Sequence, residues 1–141
     1  MNRESEKQIP IIVGVGQYLN RSRDLSDANE PIEMMLNCLR AAEQDSRSRL
    51  LGQLDSMRVI RGVWDYGNPG RYLLEALGCG KAETIGTLFG GNQVQAVINR
   101  SCLDIQSGRN SLIAIAGAEN GSSNSRARKK GIKLPAKEIP G

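Results

Sequence analysis

Residues 82–119 read AETIGTLFGGNQVQAVINRSCLDIQSGRNSLIAIAGAE, and this stretch decides the fold class. Ala82–Phe89 is a short run with β-branched residues and so predicts a strand. Gly90, Gly91 and Asn92 follow as a tight turn. From Gln93 to Ser107 the apolar residues Val94, Val97, Ile98, Cys102 and Ile105 recur at helical spacing, and Gly108 supplies the stop. Ser111–Ala118 (SLIAIAGA) reads as another strand. Two strands joined by a helix that starts directly from a Gly-Gly turn form the crossover unit of a parallel sheet.

Working outward, the same alternation continues toward the N-terminus. Pro69–Leu77 predicts a helix with Asn68 as its cap, Pro69 in its first turn and Gly78 as its end. Met57–Trp64 (MRVIRGVW) predicts a strand with Met57, Val59 and Val63 on one face. Leu50, Leu51 and Leu54 suggest a short helical turn. Before it, Pro31 opens an amphipathic helix carrying Ile32, Met35, Leu36 and Leu39 on one stripe. Ile9–Gln17 (IPIIVGVGQ) reads as a buried strand. The order is β-α-β-α-β-α-β, which predicts an α/β fold with a mostly parallel sheet and helices on both faces. Residues 1–8 are expected to be a disordered N-terminus, 9–120 a single domain, and 121–141 a basic loop or tail.

Composition narrows the function classes. The chain of 141 residues is 39% hydrophobic and 24% charged, ordinary values for one globular domain. Its net charge is +4, but residues 1–120 hold 13 basic against 14 acidic side chains. The excess lies in residues 121–141, with 6 basic and 1 acidic. A solvated tail is the simplest reading of that segment, and its lack of interleaved aromatics argues against a nucleic-acid partner. Unbroken apolar runs such as Ile11–Val13 and Ile113–Ala116 fall far short of the ~20 residues of a membrane span. Histidine is absent, which excludes Ser-His and Cys-His chemistry and the commonest transition-metal ligand. Three cysteines without a C-x-x-C pair, behind a polar start, suggest free thiols and a cytoplasmic setting.

Two glycine motifs are candidate sites. GVGQYL at Gly14–Leu19 lacks the third glycine of a dinucleotide fingerprint, and its helix starts too late, so its glycines read as a strand end. The turn Gly90, Gly91, Asn92, Gln93 is stronger. The backbone N–H groups at such a helix start carry partial positive charge and suit a phosphate or the carbonyl of a thioester. The competing reading is a sharp turn capped by Asn92. Cys38, Cys79 and Cys102 are poor nucleophile candidates, since Cys102 lies well inside its helix and beyond reach of the terminal dipole. Asp55, Asp65 and Glu119 stand near strand ends, where they read as solvated loop residues.

The segments IIVGVGQ, EPIEMMLNCLRAA, LDSMRVIRGVW, NPGRYLLEALG, GGNQVQAVIN and LIAIAGAE, in this order, resemble the N-terminal half of a thiolase-superfamily protein of the acetyl-CoA acetyltransferase-like branch. The basic segment after GAE is similar as well. The resemblance implies a βαβαβαβ half of a five-layered αβαβα fold, with a second half elsewhere. It implies that the third helix is buried on more than one side. It also implies a nucleophilic cysteine at the start of that helix. Here the matching position is Gly90, with Asn92 and Gln93 beside it, so no catalytic residue is expected. What the resemblance leaves is a site for coenzyme A or acyl-CoA at Gly90, Gly91, Asn92 and Gln93, with no metal. The implied protein is a non-catalytic N-terminal part of an acyltransferase of lipid metabolism. An acyl-CoA or acyl-lipid binding module is one alternative, and a fragment that needs a partner chain is another. Expected partners are an acyl-CoA ligand and either a homo-oligomer or a complementary C-terminal half.

Overall fold

A computed structural model describes residues 8–141, so the expected disorder of the first residues falls almost wholly outside it. Helix α1 spans Pro31–Ser46, followed by a 3-10 turn at Leu51–Gln53 and strand β1 at Ser56–Val59. Helix α2 (Pro69–Ala76), strand β2 (Glu83–Gly86), helix α3 (Gln93–Gln106), strand β3 (Ile113–Ala116) and helix α4 (Gly121–Lys129) complete the chain. The helix limits follow local chemistry. The Asn68 side chain accepts from the Arg71 N–H at 2.9 Å, and Pro69 occupies the first turn of α2. Gly78 and Gly108 take φ of +75° and +74° just beyond α2 and α3, where a side chain would be strained.

The three strands form one parallel sheet in the order β2-β1-β3. Ser56 to Val59 stand level with Glu83 to Gly86 on one side and with Ile113 to Ala116 on the other. The chain therefore steps from β1 to its neighbour β2 and then crosses back over β1 to reach β3, which carries α3 across the middle strand.

The two faces of β1 differ. Met57 and Val59 enter the apolar core with Ile32, Met35 and Leu39 of α1 and Leu73 and Leu74 of α2. Ala114 and Ala116 line the same side, and α1 packs on β3 above these small side chains. On the opposite face Ser56 and Arg58 point at α3, and both are fully buried. The Arg58 guanidinium donates to Asp104 Oδ2 at 2.6 Å and to Ser101 Oγ at 3.1 Å, with Asn110 at the rim at 3.4 Å. Arg100 also reaches Asp104 from the preceding turn of α3, at 3.0 Å.

Three expectations need correction. Ile9–Gln17 joins no strand of the sheet, so the fold has three strands in the described residues, not four. Its glycines are not a strand end either. A side chain on Gly14 would strike the Ala42 carbonyl of α1, and one on Gly16 the Cys38 carbonyl. The pair lets this segment lie directly on the α1 backbone, which holds it off the sheet. Residues 121–141 are not a solvated loop. Gly121–Lys129 is helical, and Ile139 is buried in the core. Carbonyls of Ile139 and Pro140 accept from the Gly67 and Asn68 N–H groups, both at 2.8 Å. Lys137 Nζ bonds Glu30 at 2.6 Å and Glu33 at 2.8 Å, which clasps the tail to the start of α1. Finally, Val63 does not share the core face of β1. The strand ends at Val59, and Val63 lies exposed in the loop beyond.

Candidate functional site at the carboxyl end of the sheet

All three strands run the same way, so the loops after β1, β2 and β3 meet at one end. In open α/β sheets this carboxyl end is where ligands bind. The turn Gly90–Gln93 lies here, between β2 and α3. Gln93 N–H is satisfied by the Gly90 carbonyl at 3.1 Å, and Ala96 N–H by that of Asn92 at 3.1 Å. The N–H groups of Val94 and Gln95 make no hydrogen bond among the described residues. Asn92 does not cap the helix through its side chain, contrary to the expected turn chemistry. The start of α3 therefore presents two free donors and the positive end of its dipole.

The loop after β1 borders this turn. Arg61 N–H is held by Thr87 Oγ1 at 2.9 Å, which ties the two loops together. Arg61, Gly62, Val63, Trp64, Asp65 and Phe89 enclose an open groove of about 350 Å³, and Phe89 directly precedes Gly90. The Arg61 guanidinium sits 4.8 Å over the Trp64 ring, and Tyr66 packs on Trp64 at 5.0 Å between ring centroids. Glu119, at the end of β3, accepts from the Val63 N–H at 2.5 Å, and Trp64 Nε1 donates to the Ala118 carbonyl at 3.3 Å.

The other candidate residues resolve into structural parts. Asp55 sits at the opposite end of the sheet, where its carboxylate accepts from the Ser111 and Leu112 N–H groups at 2.6 and 2.9 Å. All three cysteines are free. Cys79 is buried and donates to the Leu51 carbonyl, and burial pushes its thiol up from the ordinary range. Cys38 lies mid-way along α1 and Cys102 ten residues beyond Asn92, so none stands at the start of α3. Among the described residues no three His, Cys, Asp or Glu side chains converge as metal ligands, and no helix is long and apolar enough to cross a membrane.

The comparisons bear on the whole arrangement. No protein-family model matches the chain, and no curated protein matches it by sequence. Among solved structures it is similar to a monomeric SCP2-thiolase like protein type 1 (STLP1) from Mycobacterium smegmatis, with a TM-score of 0.70 and 24% identity. The fold is thiolase-like. The likeness covers 82% of this chain but 24% of that one, so the chain spans about a quarter of the length of the thiolase-like structure it matches. The match concerns a three-stranded parallel sheet flanked by helices, one half of a thiolase-like fold. Within it α3 is covered on one side only. Val97, Ser101 and Asp104 face the sheet, while Val94, Ile98 and Leu103 are exposed, so the expected burial on more than one side is not met by residues 8–141 alone.

Proposed function

We propose that this chain is the N-terminal part of a thiolase-like protein of the acetyl-CoA acetyltransferase-like branch, and that it binds acyl-CoA without forming an acyl-enzyme. The observation that carries this reading is the start of α3. The Val94 and Gln95 N–H groups are free at the carboxyl end of a thiolase-like sheet, and the residue where the family's nucleophile would stand is Gly90. Two preorganised donors at a helix start suit the carbonyl oxygen of a thioester, as an oxyanion hole does. Covalent transfer also needs a thiolate and a group to move its proton. This turn has no cysteine and the chain no histidine. The chain thus retains a carbonyl-binding feature without an attacking group.

A titration with acetyl-CoA in a calorimeter, paired with acid precipitation after incubation with radiolabelled acetyl-CoA, tests the proposal. The expected result is heat of binding without acid-stable label. Label that survives acid would overturn the non-catalytic reading, and no heat at millimolar ligand would overturn acyl-CoA binding. A second reading is favoured by the exposed Val94, Ile98 and Leu103 on the outer side of α3. On that reading a complementary polypeptide carrying the rest of the layered fold covers this face, and binding strengthens in its presence.

A further inference from the structure

The groove between the loops after β1 and β2 holds a cation that the fold leaves open. Arg61 is half-buried, yet its guanidinium forms no ion pair among the described residues. Arg58, Arg100 and Arg109, by contrast, all meet Asp104. The Arg61 guanidinium is steadied by the Trp64 ring at 4.8 Å and by one long bond from Nη1 to the Tyr66 carbonyl at 3.5 Å. An aromatic ring attracts a guanidinium through its π-face and leaves the in-plane N–H groups free to donate elsewhere. Its loop is fixed as well, since Thr87 Oγ1 accepts from the Arg61 N–H at 2.9 Å and the Ala118 carbonyl from Trp64 Nε1 at 3.3 Å. A positioned fork of donors with no acid to meet has the form of a carboxylate-binding group.

Resting on the acyl-CoA reading of the α3 turn, we propose that Arg61 selects the acyl group by receiving the terminal carboxylate of a short dicarboxylic acyl thioester such as succinyl-CoA. The groove opens beside the turn, because Phe89 lines it and directly precedes Gly90. Thr87, which holds the Arg61 backbone, stands at most roughly 10 Å from Gly90 along the chain. The phosphates of coenzyme A lie on the other side of the thioester, at the far end of the pantetheine arm, whereas the end of a short acyl chain stays close to its carbonyl. Between the two ends the exposed Val63 and Phe89 and the Trp64 ring give the methylene groups an apolar wall. An acyl chain that ends in methyl would cover the guanidinium and strip its water without replacing it, so the site discriminates by charge. The one acid on the lining, Asp65, is exposed and forms no ion pair with Arg61, so water and salt screen it.

Calorimetric titration of the full chain with succinyl-CoA and with butyryl-CoA, which has the same number of acyl carbons and an uncharged end, tests this. Succinyl-CoA should bind at least about tenfold tighter. Arg61→Gln should remove that preference by weakening succinyl-CoA at least about tenfold, with butyryl-CoA changed less than about twofold. Arg61→Lys, which keeps the charge and loses the fork, should retain part of the preference and guards against a loss caused by a disturbed loop. Equal affinity for the two esters would overturn the proposal while leaving acyl-CoA binding at the α3 turn intact. Equal weakening of both esters by Arg61→Gln would also overturn it, since that places the guanidinium on the coenzyme A portion. Binding of neither ester would overturn the acyl-CoA reading and this assignment together.

Discussion

The two faces of the sheet are held by opposite means, although one four-residue strand serves both. Met57 and Val59 meet α1 and α2 through apolar packing alone, while Arg58, whose Nε donates to Ser56 Oγ, meets α3 through a buried ion pair and its hydrogen bonds. The difference sets what each helix can offer outward. Helices α1 and α2 spend their apolar stripes on the core. Helix α3 turns Ser101 and Asp104 inward, and several of its apolar residues look outward as a result. The polar face also fixes position closely. A guanidinium has few satisfactory arrangements with one carboxylate, one hydroxyl and one amide, whereas aliphatic side chains tolerate small slides. Since α3 carries the free N–H groups of the candidate site, the ion pair acts as a register pin for that site.

Breaking the polar face should have the largest effect. Arg58→Ala removes the partner of a buried carboxylate and should cost about 4 kcal/mol in urea denaturation. Replacing both members, as Arg58→Met with Asp104→Leu, should recover most of that loss, because an apolar pair carries no desolvation cost. If the double variant keeps its stability but loses affinity for acetyl-CoA, the pin serves position more than stability. On the apolar face Leu73→Ala should cost about 3 kcal/mol, from lost burial and the cavity left under α1. It should leave ligand affinity per folded molecule unchanged, since α2 carries no part of the turn at Gly90.

Acid should separate the faces most gently. The Arg58 guanidinium holds the Asp104 carboxyl below the usual carboxylate range. Burial alone would raise Glu30, but bonds from Lys137 and the Tyr66 hydroxyl bring it below that range as well. Groups lowered in the folded state stabilise it above their unfolded pKa and stop doing so as pH falls through the lowered value. Stability should therefore be flat from neutral pH down to about 5 and decline below about 4. Lys137 is raised by Glu30 and Glu33, so its contribution is complete below its unfolded value and fades only in strong base. Thermal melts across this range check the sign. The acid loss should shrink in the Arg58→Met, Asp104→Leu pair, which lacks one of the lowered carboxylates, and persist in Leu73→Ala.

Local signals explain what was legible in the sequence. The Asn68 cap, Pro31 and Pro69 in first turns, and Gly78 and Gly108 as stops each act within a few residues, and each is where the pattern put it. The Gly90 turn was legible as the start of α3 for the same reason, although not the idle side chain of Asn92. The rest depends on partners far along the chain. Arg58 and Asp104 lie 46 residues apart, and nothing near either marks them as a pair. Ile139 looks like a stray apolar residue in a basic tail, and only its place beside Gly67 makes it core. Ile9–Gln17 has the composition of a strand, but composition does not say whether an edge is available to pair with. Here Gly14 and Gly16 commit the segment to α1.

The stacking at Trp64 has one more consequence. It is the only tryptophan in the chain, and it packs against Arg61 and Tyr66 in the loop that the tail clasps at Gly67 and Asn68. Its ultraviolet emission therefore arises from a single corner of the molecule. A ligand entering the groove or a tail coming loose would change that signal at its source, so the protein carries its own optical gauge of both events.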